Sequence, residues 1–456
     1  MAMVQTFFLG ILLFCQSVLA PLLYNIPTGP VDYGGGFDYG RAEIADPLYI
    51  FQDGETAYFL VTPDEASPPI ETGVGWIQEF TERMTGKTFQ RKAASQVAAG
   101  DRYIAVGVPE LGGLEAEAAA LGDEDFLKKA VGGNVFICGN GRGRGAMYGC
   151  ASFVEDQLGC RWFTPALKVA PEKKDVIVDA ALDDTQKARL EYRDDYWPYI
   201  YLYPEFKAFH KINSFMGSPM GAQYGGCVNY IGGFCHTMYD LVPRGMFADE
   251  PDLFAYRKDR GGRVEGQRCL SNPRVLELVT AKVLAYIKGH YDAGDLDTHR
   301  IVSVTQEDND AYCQCPACEK LDEKYGGPSG TNIWFTNQVA RAVKAAYPDE
   351  GILVDTFAYT YTLPTPTAVD PAGDNVPDGN VIVRMCSIGC CFNHPIRSCG
   401  HGRGQDGVFA DMGPHESEFA KYLAEWGELC AVKGAQIYVW DYTTCFEFYP
   451  AIYPNL

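Results

Sequence analysis

From residue 185 onward the sequence alternates short apolar runs with long amphipathic stretches, and this alternation restricts the fold more than any other feature. Strand-like runs fall at 191–197, 212–216, 269–271, 301–306, 352–359, 381–386 and 436–440. Between them, 273–288, 331–347 and 416–433 carry apolar residues at helical spacing. Asn272 followed by Pro273 marks a helix start, since the Asn side chain can cap and proline suits the first helical position. Strands separated by helices call for a parallel sheet with crossovers. Seven such runs in 185–456 predict a (β/α)8 TIM-type barrel. No eighth run precedes Leu456, so the barrel is expected to lack its last unit.

Upstream, strand-like runs at 57–61, 102–108, 134–138 and 176–178 alternate with helical patterns at 70–84, 115–130 and 146–158. They predict an α+β domain over 46–184. Residues 21–45 are rich in Gly, Pro and Tyr and read as an extended leader. Residues 1–20 have the apolar core and the small residues Val18 and Ala20 of a signal peptide. A secreted, periplasmic or extracellular protein is expected. No other run approaches ~18 uncharged apolar residues, so no membrane span is expected. The net charge of −21 opposes nucleic-acid binding. Oligomeric state is not legible.

In a barrel of this kind chemistry belongs at the C-terminal strand ends. The fourth run leads into Gln306, Glu307, Asp308, Asn309 and Asp310. Crowded carboxylates raise at least one pKa and set a proton donor beside an ionised neighbour, the pairing that glycoside hydrolysis needs. A solvated acidic loop or a calcium loop would share that composition. Asp308 and Glu307 are the candidate acids, and Asp441, after the last run, the second carboxylate. Trp440 beside it offers an aromatic face to a sugar ring, or a core side chain at a strand end. Tyr359, His236 and Asp194 are further substrate-binding candidates. Arg384 suits a carboxylate, hence a uronic acid, or an internal ion pair.

The chain has 16 cysteines. Cys313, Cys315 and Cys318 follow the acidic loop, while Cys386, Cys390, Cys391 and Cys399 gather after the sixth run. They could form disulfides or hold a structural zinc, with Cys390 as the fourth ligand. Cys227 and Cys235 form another candidate pair. No catalytic metal or organic cofactor is expected. The glycines of 139–145 fit a tight, closely packed turn better than a dinucleotide site.

Several motifs carry a resemblance. Arg144 to Gly149 and Leu158 to Pro165 resemble the end of the domain that precedes the barrel in family 67 α-glucuronidases, and similar domains precede family 20 hexosaminidase barrels. The motifs Phe234-Cys235-His236-Thr237, Cys269-Leu270-Ser271-Asn272-Pro273, Tyr312-Cys313-Gln314-Cys315-Pro316-Ala317-Cys318, Cys386-Ser387-Ile388, Cys390-Cys391-Phe392 and Trp440-Asp441-Tyr442 resemble an exported group, domain of unknown function 4838. The resemblance spans about 58–456 and implies a glycosidase-like fold. Where that family usually reads Gln-Asn-Asp, this chain has Gln306-Glu307-Asp308, so Asp308 is the residue the resemblance carries over. Relatives continue past Leu456, which implies a chain cut short.

Together these readings predict a glycoside hydrolase acting on a polysaccharide or glycoconjugate through carboxylate acid/base chemistry. A carbohydrate-binding protein without turnover and a cysteine-rich, metal-stabilised interaction module are the alternatives.

Overall fold

A computed structural model describes residues 44–217, 220–370, 372–388, 396, 401–403, 409–411 and 418–442, the two three-residue segments by backbone alone. The expected signal peptide, Cys390, Cys391 and Cys399 lie outside these residues. The chain divides into two compact units, Met1–Gly226 and Cys227–Leu456.

The first unit is built on six strands: β1 (Tyr58–Thr62), β2 (Gln90–Ala93), β3 (Arg102–Val106), β4 (Phe126–Val131), β5 (Asn134–Cys138) and β6 (Asp183–Gln186). Their order is β6-β4-β5-β3-β1-β2. β2, β1, β3 and β5 are parallel, while β4 and β6 add antiparallel pairing at one edge. Helices α1 (Pro68–Thr85) and α2 (Arg144–Ser152) pack closely because Gly73 has no side chain: a Cβ there would lie 2.9 Å from Cys150 Sγ. The glycine-rich turn before α2 is filled by its own backbone. A Cβ at Gly145 would collide with the Asp125 carbonyl oxygen.

The helix expected over 115–130 is confined to Glu115–Ala119. The Asp125 carboxylate accepts from Gly122 N at 2.9 Å and turns the chain into β4. The strands expected at 191–197 and 212–216 do not form. Here Asp195 accepts from Trp197 N at 2.8 Å, and Pro198 and Pro204 open short helices, so local turn chemistry displaces the ladder.

In the second unit five parallel strands follow chain order: β7 (Asn229–Ile231), β10 (His299–Ser303), β11 (Leu353–Ala358), β12 (Val381–Cys386) and β13 (Gln436–Trp440). Between β7 and β10 lies an antiparallel pair, β8 (Phe254–Arg257) and β9 (Gly262–Arg268). The strand expected at 269–271 is instead the exit from β9 into the helix cap at Asn272. The helices are α3 (Pro273–Ala293), α4 (Pro316–Tyr325), α5 (Pro328–Ala346) and α6 (Glu418–Ala431). On α3, Val275, Val279, Val283 and Ile287 recur every fourth residue and are fully buried, which seats that face in the core shared with the sheet. β12 is buried along its whole length, as a strand covered on both faces must be. The fold is thus mixed α/β. Among the described residues no helix is long and apolar enough to cross a membrane.

Candidate active site

Glu307, Asp308, Tyr359, Trp440 and Asp441 lie in the second unit at or just beyond the C-terminal ends of β10, β11 and β13, with Arg384 inside β12 and His236 in the loop after β7. The chain leaving β10 is held by two glutamines. Gln267 at the end of β9 donates to the carbonyls of Glu307 and Asn309 (2.8 and 2.7 Å) and accepts from Glu307 N (2.9 Å). Gln306 donates to Tyr359 O (2.9 Å) and accepts from Thr362 Oγ1 (2.7 Å). These contacts tie the acidic segment to β9 on one side and to the end of β11 on the other.

Within that frame the two neighbouring carboxylates face different surroundings. Glu307 is 3% exposed, and its Oε1 accepts from Tyr239 N at 2.5 Å. Burial pushes its carboxyl up to about 7, against the pull of the Tyr239 N–H, Arg268 and Arg244, and the Asp308 charge adds to the rise. Asp308 is exposed, and its Oδ1 accepts from the Tyr359 hydroxyl at 2.8 Å. Burial, then Asp308, raises the Tyr359 phenol above its ordinary range, so it remains a donor.

His236 holds a left-handed backbone (φ 51°), and its Nδ1 lies 2.8 Å from Gln306 O. Its ring centroid is 6.1 Å from that of Tyr359. A non-glycine residue in this conformation is strained and needs its surroundings to hold it there. Trp440 stacks between Phe234 (5.9 Å) and Tyr442 (6.4 Å). Asp441 is exposed and accepts from Ser387 Oγ at 2.6 Å.

Arg384 has an internal role. It is buried, and its Nη2 donates to Asp355 Oδ2 on the neighbouring strand and to Phe234 O. Asp355 is fully buried; burial pushes it up to about 6, while Arg384 and the Ser303 hydroxyl pull it back. Asp194 belongs to the first unit, where its carboxylate accepts from Ser214 Oγ (2.6 Å), Asp195 N (2.9 Å) and Tyr192 OH (3.1 Å). Asp308, Tyr359 and His236, from the segments after β10, β11 and β7, are therefore gathered where the chain leaves β10, whereas Arg384 and Asp194 are committed to local partners.

Cys313, Cys315 and Cys318 are brought together with Cys269, their four Sγ atoms within 4.8 Å of one another. Sequence spacing had offered Cys390 as the fourth member. Cys269 lies 44 residues before Cys313, and only the β8–β9 pair, which carries it back to this loop, reveals the match. Among the described residues no disulfide joins the cluster cysteines, nor Cys227 to Cys235. The two glutamine staples were also missed; uncharged and adjacent to more conspicuous carboxylates, they gave no signal.

Fold and strand-end site together define an α/β protein with carboxylates gathered at the C-terminal edge of a parallel sheet. Its family follows from the sequence itself: the model described as domain of unknown function (DUF4838) matches residues 162–456, and the chain belongs to that family. No curated protein matches the chain. Among solved structures, it is similar to a family GH115 4-O-methyl-α-glucuronidase with specificity for decorated arabinogalactans (TM-score 0.43, 11% identity, 87% of this chain and 55% of that one). It is also similar to a Streptomyces plicatus β-hexosaminidase (TM-score 0.40, 11% identity, 87% and 71% covered). A Bacteroides fragilis β-N-acetylhexosaminidase gives a TM-score of 0.36 at 14% identity, with 76% and 68% covered.

Proposed function

We propose that the protein is a glycoside hydrolase acting on a polysaccharide or glycoconjugate, and that its five parallel strands are part of a (β/α)8 barrel. The observation that carries this reading is the split between Glu307 and Asp308: two adjacent carboxyl groups, one buried and titrating near neutrality, one exposed and hydrogen-bonded by a phenol. Asp308, exposed and held by the Tyr359 phenol, is the carboxylate that meets substrate. Glu307, turned inward, is a positioning residue that holds the segment through the Tyr239 N–H. Asp441 serves as the second carboxylate or as a hydroxyl clamp, and Trp440 with Tyr442 supplies the ledge on which a sugar ring packs. Arg384, engaged by Asp355, supports the fold of the site rather than the choice of an acidic sugar. The expected location is outside the cytoplasm.

The test is turnover of a panel of aryl glycosides and glycans that includes glucuronides and N-acetylhexosaminides. Asp308→Asn should lower kcat by about 10²-fold or more on any substrate turned over. Equal activity of this variant and the unmodified chain refutes the assignment. Glycan affinity with no turnover would instead make the aromatic ledge a binding platform.

A further inference from the structure

We infer that Cys269, Cys313, Cys315 and Cys318 bind one structural zinc ion. The inference is independent of the hydrolase reading. The four thiols come from two places in the chain: Cys269 directly follows β9, and the other three span the start of α4. All four are buried, with their Sγ atoms within 4.8 Å of one another. Cys269 Sγ lies 3.7 Å from Cys315 Sγ and 3.8 Å from Cys318 Sγ. Sulfurs at the corners of a tetrahedron, each about 2.3 Å from a central zinc, are about 3.8 Å apart. A disulfide would bring one pair to about 2.05 Å and push the others outward. The near-equal spacing from Cys269 to two partners matches a shared ion.

Donors face Cys313 and Cys315, while Cys318 Sγ itself donates to Ser271 Oγ. Tyr256 N donates to Cys313 Sγ (3.3 Å), Cys318 N to Cys315 Sγ (3.4 Å), and Arg263 Nη1 approaches Cys313 Sγ at 3.6 Å. Cys315 is itself the N-cap of α4, accepting from Cys318 N in the place an Asp or Ser oxygen would take. Ser271 Oγ lies 3.4 Å from Cys269 Sγ and 3.2 Å from Cys318 Sγ. Donors aimed at buried sulfur favour the thiolate form that a metal requires, and the Arg263 cation offsets part of the negative charge of a four-thiolate site. Four protein ligands close the coordination sphere, so the ion would be structural. Its mechanical effect follows from position: Cys269 is two residues from Gln267, and Cys313 is six residues from Glu307. One ion would therefore clasp both sides of the segment that carries Asp308.

The full chain, purified reduced and without chelators, should contain one zinc per molecule by elemental analysis. Displacement with a mercurial should release that zinc as four thiols react. Cobalt in its place should give the intense visible bands of a tetrahedral thiolate complex. Cys315→Ser should lose the zinc, whereas Cys138→Ser, which removes a buried thiol of β5, should keep it. A metal-free protein with two cluster disulfides, or iron in place of zinc, overturns the inference. Should Cys315→Ser fail to fold, the metal content and thiol count of the unmodified chain decide the matter alone.

Discussion

Replacing Glu307 by Gln isolates the effect of a buried carboxyl that titrates near neutrality. Gln keeps the shape and retains an oxygen for the Tyr239 N–H, but it cannot ionise. In the folded chain the Glu307 carboxyl keeps its proton up to about 7, against 4.5 when unperturbed. Between those values the native state binds more protons than the unfolded state, so stability must fall as pH rises. The contribution is fully present below about 4.5 and is lost as pH passes through about 7. A rise of that size corresponds to at most about 3 kcal/mol, and relaxation of nearby polar groups together with water entry reduces it to roughly 1–2 kcal/mol. Urea unfolding of both forms at pH 5 and pH 8, followed by proteolysis within the second unit, measures it. The wild type should lose about 1–2 kcal/mol relative to Glu307→Gln over that interval. Parallel pH curves, or a wild type that gains on the variant as pH rises, would refute the reasoning.

Arg384→Met should destabilise the second unit by about 3–5 kcal/mol, because Asp355 is left charged and fully buried without its partner. Adding Asp355→Leu should restore most of that loss in the same urea assay. Asn272→Ala removes the acceptor for Arg274 N at the start of α3 and should cost about 1 kcal/mol, read as a lower urea midpoint. Gly73→Ala sets a methyl 2.9 Å from Cys150 Sγ and should lower the melting temperature of the first unit through about 1–3 kcal/mol of overpacking.

The parallel strands β11 and β12 could be read from the sequence because burial on both faces leaves near-continuous apolar runs bounded by amphipathic helices. β7 could not: its three residues, Asn229–Ile231, carry too little pattern to stand out. At 191–197 the aromatic residues resemble a strand, but Asp195 takes the Trp197 N–H and Pro198 opens a helix, whereas at 212–216 the Ser214 and Met216 carbonyls accept from Lys207 Nζ. At the site, Glu307 and Asp308 were visible as neighbours, yet their different fates depend on Tyr239 and Gln267, which approach from distant parts of the chain. Cys269 was visible only as part of a motif; its partnership with Cys313, Cys315 and Cys318 is a property of the folded chain.

The Asp355–Arg384 pair has a consequence for how the sheet finds its alignment. Asp355 sits opposite Ile382, and Arg384 opposite Phe357, within strands otherwise dominated by valine and other apolar side chains. Such strands pair almost equally well when displaced, since one aliphatic neighbour resembles the next. A displacement of β12 by a single residue would turn Arg384 to the other face and leave both charges buried alone, at several kcal/mol each. The pair thus works as a checksum: it permits the one alignment in which the charges cancel and rejects the near-degenerate ones. A chain carrying both neutralising substitutions should match the wild type in stability, and its loss should show first in the fraction of molecules that refold with β11 and β12 correctly matched.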